Sequence, residues 1–387
     1  MQPKERIHFL DWLRISAFGL LILFHSWQPF NNFHWLIKSP HKTLVADVLT
    51  VFFHTWRLYL IFFVSGVGTF LALQSKKAQF FMDRFQRLII PFIFGCIVII
   101  PCQYYYQKLQ QEPGLLFGDF IAHYPYFIAS RHYGIDIFQW LLEIGIHLWY
   151  LPSLFIMTVL LYPLFKWFPD VSWLTQRPRL LLLLALPVMI TFILLKPVFP
   201  EYTSVADFVS YAILFLYGFV FMQQRVQLLS VLHRNSSWLL AGGIASALLL
   251  IVCLMVPALK KAAFHPSYSL NHVIVSILLG LSAFSWPLYF VNLFSRRFNF
   301  SNQLLPELNR SVLPVYIIHQ TIIVVGGYYI IKYVGSGVLQ FLLILSVTIF
   351  VSMLVYWLIK RFRITRFLFG IRKIPSNSRL LHPEGTR

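Results

Sequence analysis

The stretch LDWLRISAFGLLILFHSW, residues 10–27, decides the fold. It is apolar over the length needed to cross a hydrocarbon core about 30 Å thick. Three charged or titratable residues interrupt it: Asp11, Arg14 and His25. Such groups are costly inside a membrane, so they usually face the protein interior and mark function. Arg14 and His25 stand eleven positions apart. At ~100° per residue this is about three whole turns, so both project from one helical face, separated along the axis by roughly 16 Å.

The chain has 387 residues, 58% of them hydrophobic and 12% charged. A soluble domain usually carries about 25% charged residues. The apolar residues fall in ten blocks, at about 9–29, 46–73, 88–107, 141–165, 180–197, 205–223, 237–257, 273–295, 312–331 and 337–359. The pattern predicts an all-α polytopic membrane protein of about ten transmembrane helices. A transmembrane domain over 1–360 is followed by a basic tail over 361–387. Lys4 and Arg6 before an apolar run mimic a signal peptide. Asp11 and Arg14 interrupt that run and no small-x-small cleavage site follows it, so the segment is expected to stay as the first helix.

A formal net charge of +19 in a soluble protein would suggest nucleic acid. Here the basic residues sit in short loops and the tail, where they set membrane orientation, and a nucleic-acid partner is rejected. With both termini cytoplasmic, the cytoplasmic segments hold 22 of the 32 Lys and Arg residues and the outer loops hold eight. This bias favours that orientation. Cys96, Cys102 and Cys253 lie in apolar segments without disulfide or metal-ligand spacing. No metal site and no permanently bound cofactor is expected.

The second span reads FFHTWRLYLIFFVSGVGTF, residues 52–70, with His54 and Arg57 three apart on one face. A buried arginine requires an acidic partner or an anionic ligand. Ser65, Gly66 and Gly68 read as sites of close helix packing. The fourth span begins EIGIHLWYLPSLF, residues 143–155. There Glu143 and His147 form an i, i+4 pair that could fix a histidine tautomer. MDRFQRLIIPF, residues 82–92, places Arg84 and Arg87 at the cytoplasmic mouth of the third span, a pairing that suits phosphate. SVLPVYIIHQTIIV, residues 311–324, carries His319 with Tyr316 and Gln320 beside it. A loop at about 108–140, with His123, Arg131, His132 and Asp136, is long enough to cap an outer site and equally suits an interfacial segment.

Together these stretches resemble the membrane acyltransferase-3 family: Arg-ten-residues-His in the first span, Arg-x-x-Arg before the third, FFVSG, HLWYL and YIIHQ. The matches keep family order from residue 9 to about 320. HTWRLYLIFFVSG and HLWYL resemble the branch that includes glucans biosynthesis protein C, implicated in succinylating periplasmic glucans. No appended soluble domain is expected. The resemblance implies a multi-pass protein of the bacterial inner membrane, an acyl-CoA donor on the cytoplasmic side and a carbohydrate hydroxyl acceptor outside. Arg14, Arg84 and Arg87 would bind the donor. His25, with Glu143 and His147, would be catalytic, His25 serving as general base or transient acyl carrier. His54 and Arg57 would stabilise the oxyanion or the acyl group. His319 and Tyr316 are further candidates. A transporter or flippase for a lipid-linked or anionic saccharide is the rival reading. It would favour inverted repeats and paired broken helices, and the sequence shows no repeat. A non-catalytic scaffold has no need of so many buried charges. The acyl group, the glycan and the oligomeric state stay open at this point.

Overall fold

The computed structural model describes residues 7–75, 78–130, 136–167 and 171–371. Lys4, Arg6, Lys76, Lys77, Arg131, His132 and residues 372–387 of the basic tail lie outside them. The described chain is helical, and ten of its segments are long and apolar enough to cross a membrane, matching the blocks read from sequence. They are α1 (His8–Phe30), α2 (Leu44–Ser75), α3 (Phe80–Gln111), α4 (Ile137–Phe165), α5 (Pro178–Leu195), α6 (Val205–Gln223), α7 (Ser236–Met255), α8 (Leu270–Arg297), α9 (Leu305–Tyr333) and α10 (Gly337–Ile359).

The tightest contact joins the second half of α2 to α6. Gly66 lies against the Phe215 carbonyl and Gly218 against the Phe63 carbonyl, so that no Cβ fits at either place. Lipid tails are as apolar as leucine, so close backbone approach and van der Waals contact replace the hydrophobic effect as the force between helices. Phe62, Phe63, Phe215, Phe219 and Phe284 fill the interior around this pair. Large apolar side chains such as Leu160, Val252 and Phe350 point outward instead, the surface a bilayer solvates.

Two spans break where they carry titratable residues. α2 consists of a helix Leu44–His54 and a helix Arg57–Ser75, with Thr55 and Trp56 between them. α4 consists of a helix Ile137–Gly145, a 3-10 turn Ile146–Trp149 and a helix Tyr150–Leu161. Non-helical backbone at membrane depth is tolerated where it lines a cavity or is buried in protein, and both breaks face the same cavity. The break in α4 corrects one expectation. Ile146 has φ +44, a left-handed conformation that is a genuine outlier for a β-branched residue. It rotates His147 out of the preceding helix, so Glu143 and His147 do not share one helical face.

The loop from Asn31 to Thr43 is tied down rather than free. The Lys38 ammonium donates to the Gln28 carbonyl at 2.8 Å, the Asn31 carbonyl at 3.0 Å and Asn31 Oδ1 at 2.6 Å. Asn31 also donates to Thr50 Oγ1, and Asn32 to Asp47. Burial, reinforced by neighbouring Lys42, pulls the Lys38 ammonium down to about 8. In the connection at about 108–140, Phe117–Ala129 is helical. Neither His123 nor Asp136 lines either of the cavities described next. Asp136 instead caps the first helix of α4 at the Phe138 amide and accepts from the Val205 amide.

Candidate active site

Two cavities lie along α1. The smaller, of about 270 Å³, is lined by Arg14, Arg84 and Arg87 with Ser65, Gly68 and Leu154. The three arginines read from sequence as one donor-binding group are thus brought together. Arg14 donates to Asn309 Oδ1 at 3.3 Å, and Asn309 donates onward to Asp11 Oδ1. Arg84 donates to Thr69 Oγ1. Arg14 and Arg84 are thus each hydrogen-bonded to a neutral side chain at the edge of this cavity. Paired arginines of this kind suit phosphate oxygens, which accept two parallel N–H bonds from one guanidinium.

The larger cavity, of about 660 Å³, is lined by His25, His54, Arg57 and His147, with Trp35, Tyr202, Tyr316 and Gln320. One helical face of α1 therefore presents Arg14 to one cavity and His25 to the other, as the eleven-residue spacing requires. Arg57 is buried, and its guanidinium carbon lies 3.4 Å from the centroid of the Phe24 ring. Its Nε and one terminal nitrogen have no hydrogen-bond partner. The Tyr202 hydroxyl faces the guanidinium from the loop before α6. Burial, opposed by Arg57 and reinforced by Asp207, pushes that phenol above its ordinary value, so it stays neutral and faces the guanidinium as an acceptor. His54 lies tilted against Tyr202 with ring centroids 4.9 Å apart.

Three imidazoles cluster here, His25 and His147 on the cavity wall and His319 behind them. The rings of His25 and His319 are 5.4 Å apart, and those of His147 and His319 are 5.3 Å apart. His147 lies 3.2 Å from the Ile317 carbonyl through Nε2, and His319 lies 2.7 Å from the Tyr316 carbonyl through Nδ1. A carbonyl only accepts, so each of these nitrogens carries its proton and the opposite nitrogen is a bare lone pair. Glu143 lines neither cavity. The Tyr104 hydroxyl donates to the Glu143 carbonyl. Among the described residues no cluster of His, Cys, Asp or Glu could hold a metal ion.

Phe18 and Tyr150 line both cavities. Their rings, with that of Tyr316, form a three-way edge-to-face cluster at centroid distances of 5.6 to 6.2 Å. Tyr150 is hydrogen-bonded to Ser65, and the Tyr316 hydroxyl donates to the His147 carbonyl. This aromatic septum separates the arginine cavity from the histidine cavity. Phe18 and Tyr150 carry no signal in a chain with 39 Phe and 19 Tyr. Only packing marks them. Trp35 and Tyr202 reach the site from loops and likewise escape a reading of the spans.

Residues 7–357 match the model of a protein family, described as an acyltransferase domain of the acyltransferase-3 type. The chain belongs to that family. It is a multi-pass membrane acyltransferase. Among curated proteins it is similar to glucans biosynthesis protein C of Salmonella gallinarum, Salmonella paratyphi B and Salmonella enteritidis. Each is 22% identical over 388 residues, covering 95% of this chain and 95% of the relative. No solved structure matches it. Family membership replaces the transporter reading as the frame for the two cavities.

Proposed function

We propose that the protein transfers an acyl group from cytoplasmic acyl-CoA, bound in the arginine cavity, to a hydroxyl of an extracytoplasmic glycan in the histidine cavity. The observation that supports this most directly is the pair of cavities on one face of α1. Arg14, Arg84 and Arg87 line one and His25, His54, Arg57 and His147 line the other, with only Phe18 and Tyr150 common to both. The positive-inside bias assigns both termini, and with them the arginine cavity, to the cytoplasm. The bacterial relatives make the inner membrane the location of this reading.

In this account Arg84 and Arg87 hold the phosphates of the donor, and Arg14 guides its acyl arm toward the septum. His25 removes the proton of the acceptor hydroxyl as the oxygen attacks the thioester carbonyl. The C–O bond forms, the C–S bond breaks, and the proton is returned to the departing thiolate. A histidine suits this step because its ordinary pKa lies near neutrality. Formation of an acyl-histidine first, then its attack by the acceptor, uses the same residue. Arg57 presents unpartnered N–H groups where negative charge develops, on the oxyanion or on the carboxylate of a dicarboxylic acyl group. A buried cation without a carboxylate partner favours succinyl over acetyl. The name of the relatives makes a glucan the first acceptor to try.

The direct test is incorporation of label from acyl-CoA into glycan by purified protein. Transfer by the parent protein and its loss in His25→Ala, with the variant still folded and in the membrane, is the expected result. Full transfer by His25→Ala would sink the catalytic assignment. Movement of saccharide without modification would favour a transporter.

A further inference from the structure

We propose that His319 is the positioning residue for His25: it accepts the Nδ1 proton of His25 and so fixes the tautomer whose Nε2 lone pair faces the acceptor. The inference rests on the reading of His25 as the transfer base. The family resemblance gives Glu143 and His147 as the catalytic companions of His25 instead.

Three observations converge. First, His319 is only 1% exposed and lines neither cavity. It stands behind the wall that His25 forms, where it cannot touch an acceptor directly. Second, its Nδ1 is committed to the Tyr316 carbonyl of its own helix at 2.7 Å. Nε2 is therefore a lone pair, and it is buried without a partner. Third, Nδ1 of His25 is likewise buried without a partner, and the two rings are 5.4 Å apart. A buried polar atom without a partner is uncommon and asks for an explanation. Here a missing donor and a missing acceptor lie on adjacent rings. The terminal torsion of histidine is soft, so the His25 ring can turn to bring its Nδ1 toward His319 Nε2.

The alternatives are weaker for definite reasons. Glu143 lines neither cavity and is separated from His147 by the left-handed break at Ile146. His147 also offers a lone pair, at Nδ1, but its ring is in contact with His319, which lies between it and His25. The arrangement has the logic of a hydrolase triad. A buried acceptor holds the base in one tautomer and orientation, and stabilises it when it becomes an imidazolium.

Two variants separate this role from mere packing. His319→Leu removes the acceptor and retains bulk. His319→Gln keeps an acceptor oxygen near the position of Nε2. Measured with purified protein and labelled acyl-CoA, His319→Leu should lower kcat at least 100-fold, with KM for donor and acceptor changed less than threefold. His319→Gln should recover at least tenfold of that loss. Equal losses in both variants, an unchanged kcat in His319→Leu, or a change confined to KM would overturn the proposal. His25→Ala is run alongside. If it is inactive while His319→Leu is normal, only the positioning role fails. If His25→Ala is active, the base assignment itself fails.

Discussion

Arg57 shows how much a single position can reveal. An arginine in the middle of FFHTWRLYLIF has to be explained, because leaving it buried costs free energy that a membrane cannot return. Its surroundings narrow the explanation to a guanidinium stacked on Phe24 with two nitrogens unpartnered. Arg57→Met should therefore abolish transfer while leaving thermal stability unchanged or raised, by an amount on the order of 1 kcal/mol. Calorimetry beside an activity assay checks both halves, and a strongly destabilised variant would show that Arg57 is structural. The charged members of the site are legible in sequence because charge is rare in a span. Phe18 and Tyr150 are not, since one aromatic among many gives no pattern. The Arg14 partner, Asn309, is also hidden, lying 295 positions along the chain. Lys38 gives a pH signature at the same scale. Its folded pKa of about 8 lies below the ordinary lysine value. Between the two values the unfolded chain holds a proton that the folded chain has released, so its contribution to stability rises with pH through that window. Melting curves from pH 8 upward should show this rise in the parent relative to Lys38→Met, and identical profiles would contradict it.

Glycines two positions apart play opposite parts at the scale of the helix. Gly66 is closed against the Phe215 carbonyl, whereas a Cβ on Gly68 would meet nothing within 4 Å and would point toward the arginine cavity that Gly68 lines. Gly66→Ala forces α2 from α6 and should destabilise the fold by about 1–3 kcal/mol. Gly68→Leu should leave melting nearly unchanged and raise KM for the donor by about tenfold or more, since each 1.4 kcal/mol of lost binding is a factor of ten. Melting and donor titration distinguish the two. Sequence places both in a small-residue stripe, and only the rotation of α2 against α6 separates packing from lining. The same limit applies at the break in α4. A left-handed residue beside a glycine is ordinarily assigned to the glycine, yet Gly145 is regular here and Ile146 takes the positive φ. Helical periodicity assumes no such break, which is why spacing alone pairs Glu143 with His147.

The number of spans is legible because hydrocarbon thickness fixes the length of an apolar block, and all ten blocks are helices. The two cavities can be foreseen only in outline, from arginines gathering toward one end and histidines toward the other. Their separation by an aromatic septum depends on contacts among α1, α4 and α9 that no local pattern encodes. On the function proposed above, the chain would work vectorially, with the donor held on one side and the acceptor acylated on the other. Sealed proteoliposomes, with the protein oriented by protease protection of the tail, test that claim most directly. Labelled acyl-CoA is supplied only on the side of the tail and glycan only on the opposite side. The account predicts labelled glycan across the intact bilayer, and none when donor and glycan exchange sides. Equal labelling from either side, or labelling only when both substrates share one compartment, would contradict it.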